Sequence, residues 1–137
     1  MLGGRRPDNL GVSEGKLAPC PDKPNCVSTQ AASPDQRIEP LRMVGDLDAV
    51  TLAARYAIQA MPRAKFVVQN ETYCHVECTS LICRFVDDLE LWIDEENRLI
   101  HARSASRVGH SDLGVNRKRV EQIFAKMIEA NVASRTE

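Results

Sequence analysis

A chain of 137 residues with 43% apolar and 27% charged side chains is long enough for one globular core, too short for two, and too apolar for wholesale disorder. Its formal net charge of −1 argues against a general nucleic-acid or anionic-membrane binder and leaves only a local patch for either. No stretch approaches the ~20 apolar residues of a membrane span, and no apolar run follows Arg5 and Arg6 as a secretory leader would require, so the expectation is a cytoplasmic protein.

Residues 1–45 hold Pro7, Pro19, Pro21, Pro24, Pro34 and Pro40, with Gly3, Gly4, Gly11 and Gly15, and their apolar residues show no sustained period. This reads as a flexible N-terminus over 1–16 and an extended arm over 17–45 that lies on the domain through Leu17, Val27, Ile38, Leu41 and Val44. Five cysteines leave at least one unpaired. A bridge between Cys20 and Cys26 is geometrically feasible in an oxidising compartment and absent in a reducing one; the spacing does not decide between these.

The core domain is read over 46–132. Asp46 is a good helix cap, and Leu47, Val50, Ala54, Ala57, Ile58 and Met61 follow a 3.6-residue period until Pro62 stops the helix. Four strands follow, over 65–70, 73–79, 85–95 and 98–106, joined as two hairpins. A second helix starts near Ser111 or Asp112 and buries Val120, Ile123, Phe124, Met127 and Ile128, with a frayed tail over 133–137. The expected architecture is an α+β two-layer sandwich of order arm-α-β-β-β-β-α, a four-stranded antiparallel sheet with both helices on one face. Period-2 alternation puts Cys74, Val76, Leu89, Leu91, Ile100 and Ala102 under the helices. It puts Tyr73, His75, Glu77, Asp88, Glu90, Trp92, Asp94, His101 and Arg103 on the other face. The lone tryptophan, Trp92, is then either covered by the arm or part of a contact surface.

The polar run 103–121 marks a corner where the last strand hands over to the closing helix. Pairing across the second hairpin brings Asp87 and Asp88 near Arg103, Ser104 and Ser106, and Asp87 falls on the core side, where a carboxylate must find donors. Asp112 occupies the helix-cap place that an anion would take, and Asn116, a poor helix former, is expected to bond a specific partner. Arg117, Lys118 and Arg119 point in different directions on a helix, so no nucleic-acid stripe forms. No metal site is expected, because Cys74 and Cys78 face the core while His75 and Glu77 face away. No nucleophile elbow or zinc-protease motif is present, and a Ser–His pair could involve only His110.

Three blocks together carry a resemblance: Cys20-Pro-Asp-Lys-Pro-Asn-Cys-Val-Ser28, Arg84-Phe-Val-Asp-Asp-Leu-Glu90, and the run from Arg103 to Glu121. In this order, over about 17–128, the chain resembles the domain of unknown function 1499. That resemblance implies a small α+β domain found in bacteria and photosynthetic eukaryotes, some members exported or lipid-anchored, with no established reaction and so no catalytic residue to carry over. Cys74 and Cys78 are unusual against it. The family's polar blocks fall on Asp87, Asp88, Arg103, Ser104, Ser106, Arg107, Ser111, Asp112, Asn116 and Arg119, with Asn25 and Ser28 able to approach from the arm.

The functional expectation is a non-catalytic binding or accessory domain, without cofactor, that uses this mixed-charge corner to hold an anionic small molecule or a partner protein. The alternative is a small hydrolase or lyase with Asp87 or His110 as base and Arg103 or Arg107 holding a carboxylate or phosphate. A third reading makes the corner purely structural and places function in the arm.

Overall fold

The computed structural model describes residues 3–136. In chain order the elements are β1 (Cys26–Ser28), β2 (Leu41–Met43), α1 (Leu47–Gln59), β3 (Ala64–Gln69), β4 (Tyr73–Thr79), β5 (Val86–Asp94), β6 (Leu99–Ser106), α2 (Val115–Glu129) and β7 (Ala133–Arg135). The strands form one antiparallel sheet of order β3-β4-β5-β6-β2-β7, with β1 also on β6.

The expected four-stranded sheet and the order arm-α-β-β-β-β-α are therefore overturned. The sheet has seven strands; β1 and β2 precede α1 and β7 follows α2. The reason lies in β6. Its far edge is shared end to end, with β1 pairing Ser28 to Arg103 and β2 pairing Leu41 to Ile100. Three-residue strands have too few positions to show a period-2 pattern, and their place is set by the unpaired backbone groups of β6, which local composition does not reveal. β7 then closes on β2, and Val132 O accepts from Val44 N and Gly45 N.

The central hairpins follow directly from the alternation. β4 and β5 pair Val76 with Leu89, and β5 and β6 pair Leu91 with Ala102. These side chains join Val50, Ala54, Ala57 and Ile58 of α1 and Val120, Ile123, Phe124 and Met127 of α2 in one buried core. Asp46 caps α1 by accepting from Ala49 N at 2.9 Å. α2 begins later than expected, at Val115, because residues 111–114 make a turn first. Asp112 still serves its start, accepting from Gly114 N at 2.8 Å and Asn116 N at 3.1 Å.

The opposite face of the sheet is also covered. The segment before β2 runs across it: Gly11 N donates to Glu90, Arg6 to Glu77, and Pro19 O accepts from Arg103. Gly4 sits at φ +85°, and a Cβ there would lie 2.7 Å from the Arg107 Cβ, so only glycine brings the backbone this close. Trp92 is half-buried and stacks on His101 with ring centroids 5.3 Å apart.

Cys20 and Cys26 are bonded, their Cα atoms 5.7 Å apart, which anchors the Pro-rich loop to β1. Cys74 and Cys78 are buried free thiols and Cys83 is exposed. Burial pushes the Cys74 thiol up to about 12 and the Cys78 thiol up to about 11, so neither is a ready thiolate at neutral pH. The expected result of intact-mass analysis without reductant is therefore a mass two hydrogens below the fully reduced chain. Alkylation of the native protein should modify Cys83 alone, and denaturation should open Cys74 and Cys78 as well.

Candidate functional site

The corner divides in two because adjacent strand residues face opposite sides of a sheet. On the helix side, Asp87 pairs with Arg119 of α2 at 2.9 Å. Arg119 also donates to Ser104 Oγ at 3.1 Å and Asn116 Oδ1 at 2.8 Å. Asn116 is fully buried, and its amide is saturated. Oδ1 also accepts from Ser104 at 2.6 Å, while Nδ2 donates to Asp112, Ser106 and the Asn25 carbonyl. Asn25 in turn donates to Gly109 O. This network bolts the start of α2 to β6 and to the arm.

On the arm side, Arg107 leaves the end of β6 and crosses two strands. Its Nη2 lies 2.7 Å from Asp88 Oδ1 and 2.6 Å from Glu77 Oε2, and its Nε donates to Asp88 Oδ2. His75 Nε2 lies 2.7 Å from the same Asp88 Oδ1, and Arg6 closes on Glu77 from the arm. Burial alone would raise the Asp88 and Glu77 pKa values. The Arg107 guanidinium, helped by His75 at Asp88 and by Arg6 at Glu77, reverses this and holds both carboxyls below the usual range. The same contacts push Arg107 upward. Beside it, fully buried Glu90 accepts from Tyr73 and Gly11 N through Oε2, while its Oε1 stands 3.7 Å from Arg103. Burial and the neighbouring Glu90 carboxylate raise the Tyr73 phenol, and burial lowers the Arg103 guanidinium.

Of the residues singled out from sequence, Asp87, Ser104, Ser106, Asp112, Asn116 and Arg119 meet in the first network, with Ser111 on the adjoining turn, where its Oγ accepts from Leu113 N. Asp88, Arg103 and Arg107 lie on the other face. Sequence reasoning placed His75, Glu77 and Glu90 on that face without linking them to Asp88 and Arg107. Their shared strand parity was the available signal. Ser28 is buried and bonds within the arm, accepting from Gln30 N.

The corner is open in two places: a smaller cleft of about 210 Å3 beside Ser111, Asp112 and Arg117, and a larger one at Asp87. The larger cleft, of about 360 Å3, lies between the turn after α1, the β4–β5 loop and the first turn of α2. Asp87 and Arg119 line it together with Arg63 and Lys118, and Met61, Pro62, Leu81 and Val115 give it apolar walls. Nothing in the sequence pointed to Arg63, which enters only because the turn after α1 docks beside α2. Ser104, Ser106 and His110 do not line this cleft, so it does not join Asp87 to Ser104 and His110.

The chemistry open to the two networks is limited. His75, Glu77 and Asp88 place ligand-type atoms within 4.8 Å of one another, but Arg107 already fills the cation position between the two carboxylates. Thr29 Oγ1 of the arm lies 2.8 Å from His101 Nδ1, yet both are buried and closed to a substrate.

Two measurements test these assignments. Asn116→Ala leaves several buried groups unpaired and should cost about 2–4 kcal/mol of unfolding free energy by denaturant titration; Asn116→Asp should cost no less, since it sets an acceptor against Asp112. Acid should destabilise the protein in two ranges. Burial, reinforced by Arg37, outweighs Asp94 and lowers the His101 pKa, so the unfolded chain takes up its proton first and stability falls below about pH 6.5. The depressed Asp88 and Glu77 carboxyls add a second loss as pH drops below about 4 and through their folded values. His101→Gln should flatten the first range and leave the second.

Comparison with known proteins adds the family. No curated protein matches the sequence significantly. A family model described as "Protein of unknown function (DUF1499)" matches residues 16–127, from just before the disulfide loop to the last turns of α2 and so across both networks and the cleft. The match covers well over half of the sequence, and the chain belongs to the DUF1499 family.

Proposed function

We propose that this protein is a non-catalytic binding domain that holds an anionic small molecule with an apolar portion in the cleft above Asp87 and Arg119. The observation that carries the reading is the lining itself. Three cations, Arg63, Lys118 and Arg119, face one carboxylate, Asp87, which is already committed to Arg119. The open positive character belongs to Arg63 and Lys118, both exposed, beside the apolar walls. A few placed charges in a largely apolar concavity are the usual makeup of a small-molecule site. The Asn116 network supports this by fixing the helix that carries Lys118 and Arg119, so the charges are held before a ligand arrives.

The bonded Cys20–Cys26 pair favours an oxidising compartment over the cytoplasm expected from sequence. Among the described residues, no helix is long and apolar enough to cross a membrane.

Octyl phosphate and decanoate are suitable probes. Calorimetric titration should detect binding of at least one to the intact protein. Arg63→Ala with Lys118→Ala should weaken it at least about tenfold, the worth of ~1.4 kcal/mol. Because Arg63 also donates to Thr79 O at 3.0 Å, Lys118→Ala alone, which should weaken binding and leave thermal unfolding unchanged, separates affinity from stability. Arg42→Ala, which removes an exposed cation on β2 outside the cleft, should leave the affinity intact. Absence of binding by both probes, or equal binding by the double variant, refutes the proposal.

A further inference from the structure

The cleft opens at the end of the molecule where the largest exposed apolar side chains gather. In the β4–β5 loop, Leu81 is 65% and Ile82 89% exposed, with Phe85 also exposed; before α2, Leu113 is 93% exposed, with Val115 exposed beside it. Leu81 and Val115 both line the cleft, so the two segments border it together. The loop is closed at its base, Ser80 N donating to Phe85 O and Phe85 N to Ser80 Oγ, so its apolar tip is presented outward. Scattered exposed leucines mean little, but five large apolar side chains grouped on the β4–β5 loop and at the start of α2 mark an interaction surface.

The charges around them select the occupant. Arg84 lies on the loop, and Arg63 and Lys118 stand at the cleft mouth, all three exposed. Segments 80–85 and 113–119 contain no acidic residue. Asp112 has both oxygens bonded to backbone and Asn116, and Asp87 is bonded to Arg119. Apolar tips inside a ring of unopposed cations complement an anionic bilayer, whose phosphates lie outside its hydrocarbon. In a two-fold pair, a second copy of this chain would set this cationic rim against itself.

We propose that this end docks on an anionic lipid surface, with Leu81, Ile82 and Leu113 entering the headgroup boundary and Arg63, Arg84 and Lys118 meeting lipid phosphates. The inference rests on the cleft reading above, because a headgroup phosphate is then the anion that reaches Arg63 and Lys118. The attachment is peripheral and weakens with salt, each cation contributing about fivefold in affinity at low ionic strength.

Cys83 supplies the readout. It is the exposed free thiol of the docking loop, so a polarity-sensitive fluorophore attached there reports entry into lipid. The intact protein should co-sediment with vesicles of phosphatidylglycerol and phosphatidylcholine but not with phosphatidylcholine alone, and the label should shift to the blue only with the former. Ile82→Asp with Leu113→Asp should lower vesicle partitioning at least about tenfold, and unlabelled protein should show the same loss. Octyl phosphate should still bind this double variant, which separates the docking surface from the cleft. Binding to phosphatidylglycerol vesicles that is undetectable, or unchanged in the double variant, overturns the proposal. So does lipid-free dimerisation of the parent chain that the double variant abolishes, because a second copy would then cover this face. Octyl phosphate binding that survives alongside failed vesicle binding sinks the docking surface alone; failed vesicle binding with neither octyl phosphate nor decanoate bound sinks the cleft reading as well.

Discussion

The contact of Arg107 with Asp88 and Glu77 is the interaction that permits this fold to cover both faces of its sheet. β4 and β5 direct Glu77, Asp88 and Glu90 away from the helices, and the arm removes much of that face from water. Buried carboxylates without partners would cost more than the arm could recover by lying down. Arg107 meets two of the three with one planar guanidinium, tying β4, β5 and the end of β6 together. Gly4 lets the arm pass directly over Arg107, and Arg6 then supplies a second cation to Glu77. The arm is thus a late layer that depends on a charge balance beneath it. Glu90 depends on the arm in return: Gly11 N and the Tyr73 hydroxyl satisfy Oε2, while Oε1 has only the looser approach of Arg103.

Parity along one strand pair decides what each charge can do. Asp87 and Asp88 are neighbours in sequence, yet one reaches Arg119 on the helix side and the other Arg107 beneath the arm. Ser104 and Arg103 divide in the same way. The closed network on the helix side has its hydroxyls and amide committed to one another, and the network under the arm is sealed. Both hold geometry more than they offer chemistry. Where Asp87 and Arg119 lie near the end of the sheet, one pair before the last ladder position at Thr79 and Val86, the polar structure meets open space in the cleft.

Much of this was legible before any coordinates. The alternation of 73–79, 85–95 and 98–106 gives the central strands to within a residue at each end, and with them the two faces. Asp46 and the stripe from Val50 to Ile58 define α1. The short strands were hidden because Cys26–Ser28 and Ala133–Arg135 take their pairing from distant partners. Treating the polar run as one corner was the larger simplification. Composition counts Asp88, Arg103 and Arg107 with Asp112 and Asn116, but a sheet separates them by its own thickness. The run Arg117-Lys118-Arg119 was read correctly as divergent. Arg117 donates to the carbonyls of Asp35 and Arg37, Lys118 faces the cleft, and Arg119 holds Asp87.

The contrast between sealed and open polar groups also explains why the exposed loops lie where they do. A domain that needed only stability would have little reason to leave Ile82 and Leu113 in water beside Arg84, since each exposed apolar tip there contributes nothing to the core. Core positions hide comparable side chains, with Ile58, Ile100, Ile123 and Phe124 wholly or almost wholly buried. The other exposed apolar side chains, among them Leu52 and Tyr56 of α1, are less exposed than Ile82 and Leu113. The loops bearing the exposed tips are anchored at their bases, by the Ser80–Phe85 bonds on one side and by Asp112 on the other. Fixed bases with apolar tips are what a surface requires if it must meet another phase without paying again for loop ordering. The Asp112–Asn116–Ser106 linkage beneath one rim is therefore more than a lock on α2, because it also sets the height and direction at which Leu113 leaves the molecule.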